Sequence, residues 1–409
     1  MPPLLAPATG SSWASLPEDL VRHVGWRLLA GNVMDYVRLG AVCTNWRSAT
    51  MSTHGRGVID PRFHPRRWMM FEDHGLYSGH ERLGEHTRSF NLDSGVFVRV
   101  RLPLFKDHCV LDSVESLLLL HRDEDTAIRL LHPFTGDIVE LPPLASHNLH
   151  MSHPYANLPQ LRRISASVSI DAEVVRVMVI FIHLMYAAVA TSQDTNWTFL
   201  MHWRLPSHYG SLSFQGNPYE QVLLPGFALV QYLVHQTMNM ENINLSQIFQ
   251  LEAHSQDPPK LIVTFPMEKL CYPIYLVECD SEILVVGHND ISLTHLAVYK
   301  LADVVLDRFI PVKSIGDKTI FVGGRNLCVS SKALPTISNI LCNTASILAV
   351  GLYSLATDEC STSGLEQGPC SLILHVFTCC SRDHWNKRQM CYLDKLSLTW
   401  KRKEIRDGA

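Results

Sequence analysis

Three clusters in this 409-residue chain carry side chains able to do chemistry. Cys379, Cys380, His384 and Cys391 offer thiolate and imidazole ligands to a soft divalent metal, but they lack the paired Cys-x-x-Cys spacing of a structural zinc site. Cysteines filling strands beside a loop histidine explain them better. Asp123-Glu124-Asp125 supplies paired carboxylates for acid/base work, yet Arg122 and Thr126 flank it between two apolar runs, the composition of a solvated hairpin tip. Arg62, Arg66 and Arg67, interleaved with Phe63, His64 and Trp68, could offer nucleic acid a surface of cations and aromatics. Arginines stacked on aromatics are equally common inside a linker. Neither a Gly-x-Ser-x-Gly elbow, a Gly-Lys-Ser/Thr phosphate loop nor a Gly-x-Gly-x-x-Gly turn occurs. The expectation is a non-catalytic protein with no cofactor and no metal.

The elements that would position side chains differ between the two ends of the chain. Near the N-terminus, Ser15 and Glu18 are spaced as a capping box, with Pro17 in the first turn of the helix they predict. Leu16, Leu20, Val24 and Leu28 recur every four residues on that helix, and Val21 and Leu29 widen the stripe. Gly25 weakens it by about 1 kcal/mol relative to Ala, and Gly31-Asn32 ends it. A second helix is predicted to carry Leu39, Val42, Cys43 and Trp46 on one face, with Asp35 near its positive end. Stripes on helices this short need a surface to bury against, either the rest of the chain or a partner.

Beyond about residue 60 the pattern becomes one of short β runs. Val96, Val98, Val100 and Leu102 alternate with Phe97, Arg99 and Arg101, predicting a strand with one buried face. Leu117 to Leu120 and Ile283 to Val286 are continuously apolar, as strands covered on both faces are. Thr135-Gly136, Asp280-Ser281, Asn289-Asp290 and Gly323-Gly324 read as turns. Roughly twenty such runs at even spacing favour a β-propeller, of about five to seven blades at four strands each. The apolar stretch 174–190 is too short and too rich in Val and Ile for a membrane span, and it contains Arg176 and His183; one or two buried strands are expected there. The segment 358–369, of Ser, Thr, Gly and acidic residues, reads as a loop.

Composition sets the class of partner. At 46% hydrophobic and 18% charged, the chain has the make-up of a globular protein, and a net charge of −4 gives no global field toward nucleic acid or an anionic membrane. Eleven cysteines, an odd number without regular spacing, and an N-terminus without a basic n-region predict reduced thiols in the cytoplasm and/or nucleus. On that expectation the sequon Asn196-Trp197-Thr198 stays unglycosylated. Lys401-Arg402-Lys403 beside Trp400 reads as a solvated tail, with nuclear import as the alternative.

Leu16-Pro17 at the head and Val42-Cys43-x-x-Trp46-Arg47 at the tail resemble an F-box in order, spacing and residue type. Further along, Thr135-Gly136, Tyr275-Leu276-Val277-Glu278, Val298-Tyr299-Lys300-Leu301, Ile315 to Gly323 and Gly351-Leu352-Tyr353 resemble the landmarks of a large plant F-box family whose C-terminal domain is a kelch-like propeller. The segment 335–347 departs from it, being apolar and Cys-bearing where that family has a tyrosine-containing strand and an acidic loop. The resemblance implies a small all-α F-box module at 13–52 and an all-β propeller at 60–398, flanked by a disordered leader at 1–12 and a basic tail at 399–409. It implies a substrate receptor of a Skp-cullin-F-box ubiquitin ligase, with a Skp-type adaptor and, through it, a cullin as partners and an unidentified target protein on the propeller loops. The adaptor-binding residues would be Leu16, Pro17, Leu20, Val21, Val24, Leu28, Leu39, Val42, Cys43, Trp46 and Arg47. Two alternatives stand beside this reading. One is a protein-binding propeller acting outside any ligase; the other is a propeller hydrolase, which would need two carboxylates converging within about 5–10 Å in the central channel.

Overall fold

The computed structural model describes residues 13–364, apart from 72–85, 123, 145–163, 182–185, 201–207, 215–226, 239–240, 253–259, 267–268, 281, 290–294, 323–325, 335–339, 347–348, 356 and 358. Three short helices come first: α1 (Glu18–Gly31), α2 (Val33–Gly40) and α3 (Thr44–Ala49). Ser15 is not the N-cap that the expected capping box would make it. Pro17 is the N-cap of α1, whose carbonyl accepts from Leu20 N–H and Val21 N–H, while Ser15 closes a 3-10 turn at Trp13–Ser15. Asn32 ends α1 as expected and caps α2, its side chain accepting from Met34 N–H at 2.9 Å. The predicted single face from Leu39 to Trp46 is split between two helices. Cys43, extended at φ −157°, caps α3 through its sulfur, so Leu39 turns inward while Val42 stays on the surface.

Six sheets follow among the described residues. The first holds β1 (Trp68–Phe71), β2 (His86–Asn91) and β3 (Phe97–Arg101). The second holds β4 (His108–Val114), β5 (Leu117–Arg122), β6 (Ile128–Leu131) and β7 (Ile138–Leu141), and the third β8 (Ile164–Asp171), β9 (Val174–Phe181), β10 (Tyr186–Thr191) and β11 (Thr198–Leu200). The fourth is β12 (His208–Phe214), β13 (Phe227–Met238), β14 (Glu241–Glu252) and β15 (Lys260–Phe265). The fifth is β16 (Cys271–Cys279), β17 (Glu282–His288) and β18 (Leu296–Lys300), followed by one helical turn, α4 (Leu301–Val304). The sixth contains β19 (Lys318–Phe321), β20 (Leu327–Ser330), β21 (Ile340–Ser346), β22 (Ala349–Ser354) and β23 (Glu359–Gly364), in the order β20-β19-β21-β22-β23. All pairings are antiparallel meanders except β19 with β21, which run parallel.

The apolar runs explain how the sheets stack. Along β5, Leu117 and Leu119 enter a core with Val175, Val177 and Val179 of the third sheet. Leu118 and Leu120 point the other way, toward Met70, Val100 and Leu102 of the first sheet and its exit. A strand whose two faces meet two neighbouring sheets must be apolar at every position. Each such leucine contributes about 1.5–3 kcal/mol by leaving water. The fifth sheet repeats the arrangement: Leu276 and Val285 face Ile248 and Phe265 of the fourth, while Val277, Leu284 and Val286 face Ile320 and Cys328 of the sixth.

The ring closes on itself. Strands β4, β8, β12, β16 and β20 touch in that order at the inner edge. The last sheet returns to the first through Ser330 N–H to Leu92 O at 2.9 Å and through Arg67, which donates to Cys328 O at 2.9 Å and pairs with Asp93 at 2.8 Å. Gly95, at φ +72°, lies so close to the Ala333 backbone that a Cβ there would sit 2.9 Å from Ala333 Cα, so only glycine fits.

Several expectations are refined. Of segment 174–190, residues 174–181 form β9 and 186–190 lie in β10, and both strands are mostly buried. Alternation in β3 holds at Val100 and Leu102, but Val96 precedes the strand and is exposed. The polar segment after residue 358 is a strand, not a loop: β23 pairs with β22 from Glu359 to Gly364, since an edge strand needs ladder hydrogen bonds rather than an apolar face. The expectations for 1–12, Cys379, Cys380, His384, Cys391 and the tail at 399–409 lie outside the described residues.

Candidate functional site

The helical module is built around Val21, Leu29, Val33, Tyr36 and Leu39, all buried. Gly25 lets α1 and α2 approach: a Cβ there would meet the side chains of Leu39 and Tyr36 at 3.3 Å. The glycine that weakens α1 in isolation is therefore what permits the helix pair. Head and tail of the motif are brought together by hydrogen bonds. Asn45 Nδ2 donates to Ala14 O at 3.0 Å and Leu16 O at 3.2 Å, and Trp46 Nε1 donates to Trp13 O at 3.1 Å. Arg47 Nε donates to Gly40 O at 3.2 Å, tying α3 to the end of α2.

The eleven residues singled out from the sequence divide in two. Val21 and Leu39 serve the module's own core. Leu16, Leu28, Cys43 and Trp46 are half-buried, and Pro17 and Arg47 are exposed. Leu20, Val24 and Val42 stand 48%, 43% and 60% exposed, and Trp13 and Val37, which the motif had not flagged, join them at 77% and 41%. Leu20 and Val24 lie one turn apart on one face of α1. Large apolar side chains left outside on so small a unit are the feature an interface would use.

The module is fastened to the propeller by the second sheet. Tyr36 packs tilted against Phe63 (centroids 5.9 Å, interplanar angle 49°) and its hydroxyl accepts from Met51 N–H at 2.8 Å. The β6–β7 turn then receives the linker. His132 Nε2 bonds Phe63 O at 3.0 Å, Phe134 packs edge-on against Trp68 at 5.1 Å, and Asp137 accepts from Gly55 N–H and Gly57 N–H at 2.9 and 2.8 Å. Burial pushes the Asp137 carboxyl up, but those two N–H groups and the Thr135 hydroxyl outweigh it and hold it below its ordinary range. The Thr135-Gly136 turn expected from sequence is there, with Gly136 at φ +76°. Its role as an anchor for the linker had no signature in the sequence.

The arginine cluster 62–67 is turned inward. Arg62 pairs with Asp60 at 2.6 Å and lies 4.8 Å over the Trp26 ring, Arg66 pairs with Glu115 at 2.8 Å, and Arg67 pairs with Asp93. At the inner edge of the ring, Glu115 and Glu278 come within range of each other's charge. Burial raises the Glu115 carboxyl above its usual value against the pull of Arg66. Glu278, open to solvent yet enclosed by protein on most sides, is pushed up to about 7, first by that enclosure and then by Glu115, against Arg66 and Arg67. The Glu115 carboxylate faces the Arg66 guanidinium at 2.8 Å, and with Glu278, Arg66 and Arg67 it forms a group of mutually interacting charges. Asp125 pairs with Arg122 at the β5–β6 connection, as a hairpin tip should.

A ring of radially stacked antiparallel sheets defines a β-propeller, a class that presents its connecting loops to partners. The chain matches the family model described as the KIB1-4 beta-propeller over residues 89–348, well over half its length, and it belongs to that family. No curated protein matches it. A solved chain from the structure titled "Crystal structure of Nidogen/Laminin Complex" superposes with a TM-score of 0.31 at 8% identity, covering 73% of this chain and 89% of that one. So low a score carries no argument. Among the described residues, no helix is long and apolar enough to cross a membrane, and no group of three or more His, Cys, Asp or Glu is placed to hold a metal ion.

Proposed function

We propose that this propeller protein is a non-catalytic substrate receptor of a Skp-cullin-F-box ubiquitin ligase, its helices docking a Skp-type adaptor and its propeller loops holding a target protein. The observation that carries the reading is the outward set Leu20, Val24 and Val42 on a module whose own core is already complete without them. Side chains not needed for folding, apolar and grouped on α1 and the α2–α3 connection, are suited to burial by a partner. The receptor would act by proximity, raising the effective concentration of its target near a charged conjugating enzyme. The test is capture of a purified Skp-type adaptor by the full-length protein. Val24→Asp with Val42→Asp should abolish capture and leave the far-ultraviolet circular dichroism unchanged, because neither residue is in the core. Retained capture by this double variant removes the reading. Failure of the unmutated protein to capture the adaptor favours the alternative, a propeller that binds proteins outside any ligase.

A further inference from the structure

Two buried thiols meet where the fifth and sixth sheets join. Cys279 ends β16 and Cys328 lies in β20; both are buried, and their sulfurs are 2.8 Å apart. Forty-nine residues separate them in sequence, so the contact is made by the ring and not by the local chain. A disulfide bond is about 2.05 Å long, so less than about 1 Å of approach separates the reduced pair from a covalent one. We propose that Cys279 and Cys328 are a redox pair, which a small peroxide oxidises to a disulfide that clips the fifth sheet to the sixth.

The surroundings assign the roles. Either sulfur can donate to the other, so the pair shares a proton, and Lys318 and Arg67 add positive charge near both. Cys279, 8% exposed against 2% for Cys328, is the sulfur a peroxide reaches first, and its thiolate is the nucleophilic species. In the first step the Cys279 sulfur attacks one oxygen of hydrogen peroxide, the O–O bond breaks, and Cys279 sulfenic acid forms while the released hydroxide takes up the proton that left the Cys279 thiol as water. In the second, the Cys328 sulfur attacks the Cys279 sulfur, the S–O bond breaks, and hydroxide leaves with the thiol proton as water. The sum is two thiols and one hydrogen peroxide giving one disulfide and two waters. Arg67, which donates to Cys328 O and pairs with Asp93, places the clip beside the contact by which the last sheet meets the first.

The test uses the full-length protein, reduced, desalted, exposed to hydrogen peroxide, capped with iodoacetamide under denaturing conditions and digested with trypsin without reduction. Peptide 326–332 should be found linked to peptide 270–300, and dithiothreitol should separate them. Because peptide 270–300 also contains Cys271, the position of the bond is fixed by variants: Cys271→Ser keeps the link and Cys279→Ser loses it. In Cys328→Ser the sulfenic acid has no resolving thiol, and Cys279 should take up dimedone. Recovery of Cys328 fully alkylated from peroxide-treated wild-type protein, or its linkage to any other cysteine, overturns the proposal.

Discussion

Asp137 is the residue on which the joint between helices and propeller depends. It accepts the N–H groups of two linker glycines that otherwise have no acceptor at that turn. Asp137→Ala should therefore lower stability by about 1–3 kcal/mol, the cost of stranding donors of this kind, read as a lower urea midpoint at unchanged slope. Two titratable side chains give opposite pH dependences. His64, pushed down to about 3 by burial first and then by Arg66 and His132, stays neutral in the fold, whereas an unfolded histidine binds a proton near 6.5. Its contribution is present above pH 6.5 and is lost as pH falls toward 3. Glu278 works the other way. Its folded value near 7 against an ordinary 4.5 means that the fold keeps a proton the unfolded chain has released, so its contribution is full below 4.5 and is lost as pH rises through 7. Glu278→Gln should flatten the decline between pH 4.5 and 7 and leave the acid-side loss unchanged, as measured by urea midpoints across that range. An unaltered decline between pH 4.5 and 7 in the variant would show that another group is responsible.

At the level of elements, the helix pair and the strand β5 make separate demands. Gly25 admits α2 to within 3.3 Å of where a Cβ would be, so Gly25→Val should open α1 from α2, expose Tyr36 and Leu39, and cost about 1–3 kcal/mol by overpacking. The check is the tryptophan emission of Trp26, which packs 6.5 Å from Tyr36 and should shift to longer wavelength. Leu119→Ala should cost about 2–5 kcal/mol, since the site is closed by the third sheet and cannot collapse. The helices were legible because their breaks and apolar stripes are local. Their division was not: whether Cys43 continues a helix or caps the next depends on Asn45 and Trp46 finding the carbonyls of Trp13, Ala14 and Leu16. The hairpin turns at Glu115-Ser116 and Ala172-Glu173 were invisible for a similar reason. All four residues take positive φ without a glycine, held by the strands on either side.

The described sheets form a closed ring, and closure is its distinctive vulnerability. Arg67 joins the entry to the propeller with its last sheet by two contacts, to Asp93 and to Cys328 O. Arg67→Ala should leave each hairpin formed but loosen the seam, seen as faster amide exchange in β1 and β20 than in β9. The six sheets fall within the predicted range of blades. That range was as narrow as sequence allowed, because the chain carries no strict repeat and the sixth sheet joins β19 to β21 in parallel, a pairing that no hairpin signal announces.

The sequence by itself determined that short helices precede a long run of strands and that strands such as β5 are covered on both faces. These are consequences of local periodicity, helix breaks and apolar run length. Only the tertiary structure decided which side chains of the motif are spent inside and which stand outside, separating Val21 and Leu39 from Leu20, Val24 and Val42. It alone fastened the linker to Asp137, drew Glu278 toward Glu115 and brought Cys279 against Cys328. Burial and pairing between residues tens to hundreds of positions apart depend on how the sheets close around their axis, and no window of sequence contains that closure.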